Sequence, residues 1–204
     1  GGHGFGTAKL SRGGTLQISG TLGDGRAFTS AARISRSRRW PLYTSLSGNR
    51  GVLAGWLTAS TNDVRNLDGS LQWILSPNFK ASRYPLGFTN QVSCLASFFP
   101  PSSNGVRILN WVHGLSRVEG AGLELGMTNL VKLTTANLLA VTDPGPSAPV
   151  FTFDMVSGAV KGRFVHPWAG TTNILRGVIL KRDNSVRGKF VDEGFDNIAL
   201  HGGA

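Results

Sequence analysis

The sequence predicts an all-β fold, an antiparallel meander rolled into a barrel-like or strongly curled sandwich architecture. Three observations carry that expectation. Apolar and polar residues alternate with period two in one segment after another. The chain is punctuated by 28 glycines and 9 prolines. No segment carries a clean helical stripe of apolar residues. With 204 residues, 40% of them apolar, the chain is long enough to bury a core. It is read as one β-rich domain over residues 1–204, with two lobes meeting near 98–105 as the alternative.

The strands follow in order. Alternation predicts strands over Thr15–Leu22, Val52–Thr58 and Ser70–Leu75. Gly23-Asp24-Gly25, Gly48-Asn49-Arg50-Gly51 and Leu67-Asp68-Gly69 carry the turn chemistry between them, since Gly and Asn accept positive φ and close tight hairpins. Later strands are expected at Gln91–Ser97, Val106–Val112, Asn137–Thr142, Val150–Asp154, Ala159–Val165, Asn173–Lys181, Val186–Val191 and Asn197–Leu200. Leu123–Leu139 is the best helical candidate, but Gly126 and the β-branched Thr128, Val131, Thr134 and Thr135 favour short strands there. The Pro-rich stretches 99–105 and 143–149 are short loops. Glycines recur within strand segments, as at Gly20, Gly55 and Gly162, where a sheet bends toward closure.

Charge is the strongest compositional signal. Lys and Arg number 21 against 11 acids, a formal net charge of +10, and such a field attracts polyanions. Arginine leads lysine 15 to 6; it binds carboxylate, sulfate and phosphate in a planar, bidentate fashion, although a GC-rich coding sequence gives the same bias. No apolar run is long enough to span a bilayer, and Gly1-Gly2-His3-Gly4 has neither region of a signal peptide, as expected of a processed or excised piece.

Catalytic and metal-binding patterns are missing. Cys94 is the sole cysteine and is expected to be a buried small hydrophobe, so no intrachain disulfide forms. The four histidines, His3, His113, His166 and His201, lack metal-ligand spacing. Acids are scarce and concentrate in turns (Asp24, Asp63, Asp68, Asp143, Asp183), with Asp192 and Glu193 beside Gly194. Neither a nucleophile elbow nor a phosphate loop occurs. The expectation is therefore a protein without catalytic residues, metal or cofactor.

Candidate contact residues are basic or aromatic. Arg33, Arg36, Arg38 and Arg39 fall in one stretch that ends on Trp40, a pattern of an anion-binding edge with an aromatic platform. Protection of an edge strand by positive charge explains the same residues without a ligand. Lys181, Arg182, Arg187 and Lys189 flank a hairpin turn at Asp183-Asn184-Ser185 and would crowd one tip. Aromatics are not interleaved there, and no nucleic-acid motif is present, which disfavours nucleic acid. Trp56 and Trp73 sit in apolar strand contexts and are expected in the core, whereas Trp168, in a turn-like stretch, is the candidate stacking surface. Gly1 to Leu10 carries Phe5, Lys9 and Leu10 and is expected to act as an arm on a neighbouring subunit, because its glycines need outside help to order; strand formation in its own sheet is the alternative.

Several phrases go beyond generic strand grammar: Gly20-Thr21-Leu22-x-Asp24-Gly25, Trp40-Pro41-Leu42-Tyr43, Gly51-x-Leu53-x-Gly55-Trp56-Leu57, Tyr84-Pro85-x-Gly87-Phe88-Thr89-Asn90, Phe164-Val165-His166-Pro167 and Gly177-Val178-Ile179-Leu180. In this order they resemble an uncharacterised β-rich domain near the C-terminal ends of long secreted or surface proteins of Verrucomicrobia and related bacteria. Lys181-Arg182-Asp183 and Gly188-Lys189-Phe190-Val191-Asp192 depart from that family's ending. The resemblance implies an extracellular or cell-surface setting and carries over no catalytic or binding residue. The leading expectation is a non-enzymatic structural or assembly module, a surface-layer or filament subunit that partners copies of itself or other surface proteins. The alternative is a binding module for acidic polysaccharide or another polyanion. A hydrolase ranks third, because it requires a carboxylate pair in a cleft.

Overall fold

The computed structural model describes residues 3–60, 65–81, 84–100, 105–120, 123–190 and 197–202. Val191, residues 101–104 of the first Pro-rich loop, and the acids Asp63, Asp192 and Glu193 lie outside the described residues. The described chain is all-β, with antiparallel strand pairing and one 3-10 turn, Lys181–Asp183. The strands are β1 (Phe5–Leu10), β2 (Thr15–Thr21), β3 (Ala27–Arg33), β4 (Arg39–Leu46), β5 (Gly51–Ala59), β6 (Leu67–Leu75), β7 (Phe88–Ala96) and β8 (His113–Gly120). They continue as β9 (Leu123–Leu133), β10 (Leu139–Val141), β11 (Val150–Phe153), β12 (Ala159–Val165), β13 (Thr172–Leu180), β14 (Ser185–Phe190) and β15 (Asn197–Gly202). They form three sheets, ordered β1-β2-β3, β4-β5-β6-β7 and β10-β9-β8-β15-β14-β13-β12-β11.

Two compact units emerge. One comprises residues 8–20 and 26–97; the other comprises the described residues of 1–7, 21–25 and 98–204.

In the first unit the sheet β4 to β7 is a meander with every neighbour antiparallel. Its inner face is set by parity: Trp40, Leu42 and Leu46 of β4, Leu53 and Leu57 of β5, and Leu67, Leu71, Trp73 and Leu75 of β6 are all buried. Trp40 is fully buried, and its indole N–H donates to the Ala32 carbonyl at 3.0 Å. On β5 and β6 the inner positions between these side chains are Gly55 and Gly69. A Cβ on Gly69 would collide with the Trp56 carbonyl and the Leu57 side chain, so only glycine lets the strands close there. Leu67-Asp68-Gly69 is accordingly the start of β6 and not the expected turn. The turn before β5 does form, with Ser47, Gly48 and Asn49 all at positive φ.

In the second unit, consecutive strands from β8 to β15 pair in sequence order, except that β10 and β11 share no ladder and β15 pairs back onto β8. The sheet is therefore not hydrogen-bonded into a closed barrel. Its inner face buries Val118, Val131, Leu133, Phe151, Val160, Phe164, Leu175, Ile179, Val186 and Phe190. Phe164 and Phe190 meet edge to face with ring centroids 4.9 Å apart, the geometry favoured by aromatic quadrupoles. The stretch over Leu123–Leu133 is one long strand, and His113–Gly120, unassigned by the sequence reading, is another. Val106–Val112, expected as a strand, is irregular instead, with Ile108, Leu109 and Trp111 buried in the core cluster. Its backbone amides are met by side chains: Asn137 Oδ1 accepts from Ile108 and Asn184 Oδ1 from Asn110.

Phe5–Leu10, expected as an arm on a neighbouring subunit, forms β1 within the chain's own sheet. The reason is backbone complementarity, since β1 and β2 supply each other's ladder partners. Gly4 comes so near the Thr21 carbonyl that a Cβ would stand 3.0 Å from it. Lys9 and Leu10 are exposed on this edge strand.

Candidate functional site

The basic stretch beginning at Arg33 is divided by the fold. Arg33 ends β3, Arg36 and Arg38 occupy the connecting turn with Arg38 at φ 58°, and Arg39 opens β4. All four are exposed. Trp40 is not the platform expected, because alternation along β4 turns it inward while Arg39 points outward. The platform is Trp56, which was expected in the core. Leu53 and Leu57 occupy the inner positions of β5, so the residue between Gly55 and Leu57 faces outward, and Trp56 is 47% exposed. Trp73 is buried, as its apolar context indicated.

The outer face of this sheet follows from the register. One cross-strand row runs Arg39, Thr58, Asp68, Leu95; the next runs Pro41, Trp56, Ser70, Ser93; a third runs Tyr43, Ala54, Gln72, Gln91. The Arg39 guanidinium lies over the Trp56 ring, 4.7 Å from its centroid. That contact orients a cation that would otherwise sample many rotamers. Tyr43, diagonal to Trp56 across the β4-β5 pair, is 67% exposed. Around the aromatics lie hydroxyls and amides, of which Gln91 Nε2 donates to Ser70 Oγ at 2.7 Å. Chemically, this face offers two amphipathic rings, an oriented guanidinium and a field of donors and acceptors.

The second expected basic group is dispersed. Lys181 and Arg182 lie in the 3-10 turn, where Arg182 Nε stands 3.5 Å from Asp183 Oδ1. Arg187 and Lys189 lie along β14, away from that tip. Lys189 is not a surface contact: it is buried, and its ammonium donates to the carbonyls of Leu22 and Gly23. Arg187 is partly buried and lowers the pKa of His3, together with the larger effect of burial. Trp168 is 76% exposed in the turn between β12 and β13. That turn is pinned by the buried His166, whose Nδ1 accepts from the backbone amides of Trp168 at 3.3 Å and Ala169 at 3.1 Å.

Sequence reading did not single out Lys161, Arg163 or Arg176. All three are exposed on the outer face of β12 and β13, where Lys161 stands directly opposite Arg176. Among the described residues no cluster of three or more His, Cys, Asp or Glu is placed to hold a metal ion. Among the described residues no helix is long and apolar enough to cross a membrane. Comparison of the chain with protein-family models, with curated proteins and with solved structures finds no match in any of the three.

Proposed function

We propose that this protein is an extracellular binding module for acidic polysaccharide, using the outer face of the β4 to β7 sheet. One observation carries the reading: the outward Trp56 with Arg39 stacked on it, beside the exposed Tyr43. Exposed tryptophan and tyrosine present an apolar ring for the C–H face of a sugar and a polar edge for its hydroxyls. A stacked guanidinium keeps its N–H edge for a carboxylate or sulfate. Gln72, Gln91, Ser70 and Ser93 supply the uncharged hydrogen bonds that a polyhydroxyl ligand takes. The charge of +10 supplies the long-range attraction. Retention on immobilised polygalacturonate and heparin is the test. Arg39→Ala and Trp56→Ala should each weaken binding about tenfold, the former with a shallower salt dependence. Unchanged retention of both variants would overturn the assignment.

A second reading, self-assembly, is favoured by a different observation. Leu115 and Leu130 are directly opposed on β8 and β9 and both largely exposed, and β1 is an open edge strand. Size-exclusion chromatography of wild type and Leu130→Lys separates the two readings, since only an assembly subunit changes size.

We also infer that the eight-stranded sheet curls barrel-like. What supports this is the return pairing of β15 on β8, with the two ladder ends β10 and β11 close together in space. Leu139, Val141 and Phe153, from those two end strands, pack against the same core cluster.

A further inference from the structure

A row of like charges crosses the middle of the eight-stranded sheet. Lys161 on β12 is opposite Arg176 on β13, which is opposite Lys189 on β14. Like charges directly opposed on a sheet destabilise it. Lys189 is buried against the Leu22 and Gly23 carbonyls, so it faces away from solvent. Lys161 and Arg176 have no such cover; both are exposed, and Arg163, one step along β12, is exposed with them. No ion pair engages Lys161, Arg163 or Arg176 among the described residues. Asp154 feels the charge of Lys161, but its carboxylate is taken by the Ser157 hydroxyl and the amides of Val156 and Ser157.

Edge protection does not account for these cations. The strands that need it are the ends of the ladder, β10 and β11, whereas β12 and β13 are paired on both sides. Lys161 and Arg176 repel each other across the pair, Arg163 adds a third cation to the same face, and together they present a positive surface to an anionic partner.

We propose that the outer face of the β12-β13 hairpin is a second site for acidic polysaccharide, built from Lys161, Arg163 and Arg176 and ending on Trp168. The inference does not rest on the β4 to β7 face and uses none of its residues. The hairpin lays out the elements in line. Lys161 and Arg176 come first, then Arg163 opposite Ile174, then Val165 opposite Thr172, and last the turn that exposes Trp168. From Lys161 to Val165 the strand advances about 13 Å. An extended, regularly charged polymer lying along it meets cations first and an indole at the tip. Between the cations the face is aliphatic, with Val150 and Ile174 flanking Arg163. It lacks the interleaved rings on which bases stack, so polysaccharide fits and single-stranded nucleic acid does not.

The test uses the full chain on immobilised heparin and polygalacturonate, with amylose and single-stranded DNA as further arms. Lys161→Gln/Arg163→Gln/Arg176→Gln should weaken binding to the acidic polysaccharides at least tenfold and flatten its salt dependence, with amylose unaffected. Trp168→Ala should weaken it severalfold without changing the salt dependence. Lys161→Glu keeps the proposal falsifiable, because it replaces the repulsion with an opposite-charge pair. It should raise the melting temperature while lowering polysaccharide retention. Full retention by the triple variant, a lower melting temperature for Lys161→Glu with unchanged retention, or DNA retained more tightly than the polysaccharides through the same three residues would each overturn the proposal. Loss in these variants with Arg39→Ala unaffected would uphold this site and reject the other face; the reverse result would reject this one.

Discussion

Asn137 and Asn184, from different turns, hold the same irregular segment: Asn137 Oδ1 accepts the Ile108 amide and Asn184 Oδ1 the Asn110 amide, each at 2.7 Å. Both asparagines adopt the left-handed conformation, at φ 60° and 51°. Asn137 also donates to the Val106 carbonyl at 3.0 Å, and the Asn184 carbonyl accepts the Trp111 indole at 3.1 Å. These bonds let Ile108 and Leu109 enter the core without strand partners for their backbone.

Asn137→Ala should therefore cost about 2–4 kcal/mol, since it orphans the buried Ile108 amide and places Ala at positive φ. Asn137→Gly relieves only the backbone strain and should recover a minor part. Urea denaturation of the two variants checks the order.

The tryptophans should divide by parity. Trp40→Ala empties a fully buried site and should cost about 3–5 kcal/mol. Trp56→Ala removes a half-exposed ring and should stay within about 1 kcal/mol of wild type. Equal losses in guanidinium melts would show that β5 presents the opposite face.

Cys94 lies on the inner side of β7, opposite Gly69. Burial, with a smaller push from Asp68, raises its thiol pKa to about 11. At pH 8 the thiolate fraction, and hence labelling by a disulfide reagent, should be about a hundredfold lower in the folded protein than in urea. Equal rates in the two conditions would place the thiol at the surface.

His3 has a lowered pKa, through burial first and Arg187 second. A histidine held below its unfolded value binds its proton more readily when unfolded. The stability it supports is thus fully present above the unfolded value of about 6.5 and declines as pH falls toward the folded pKa. Protection factors of amides near His3 should fall between pH 7 and pH 5, and His3→Gln should abolish the fall.

His166 positions Trp168 through two backbone bonds to Nδ1. Replacing it with Leu should make the turn several times more susceptible to chymotrypsin at Trp168, while Asn, which keeps an acceptor, should resemble wild type. No difference between the two would mean that the backbone bonds of the turn suffice.

Much of the fold was legible because strand parity is a local property. Thr15–Thr21, Ala159–Val165 and Thr172–Leu180 follow their alternation closely. Errors arose where a local cue had a long-range cause. Asp68-Gly69 carries a turn signature, but the glycine is there because the Trp56 carbonyl approaches it from the next strand. Val106–Val112 has the apolar content of a strand, yet its hydrogen bonds come from asparagines 29 and 74 residues away. Trp56 was misplaced although Leu53 and Leu57 already fixed its side of β5. The row from Lys161 to Arg176 was invisible for another reason, since only the register between two strands brings those charges together.

The pairing of β15 with β8 gives the eight-stranded sheet a temporal order. As the chain is synthesised, β8 emerges long before its second neighbour. Until Asn197–Gly202 arrives, β8 and β14 are both bare edges, and the exposed Leu115 sits on one of them. Long-range closure of this kind is slow and leaves sticky intermediates. Truncation or delay at that strand would therefore show first as aggregation of the unfinished sheet.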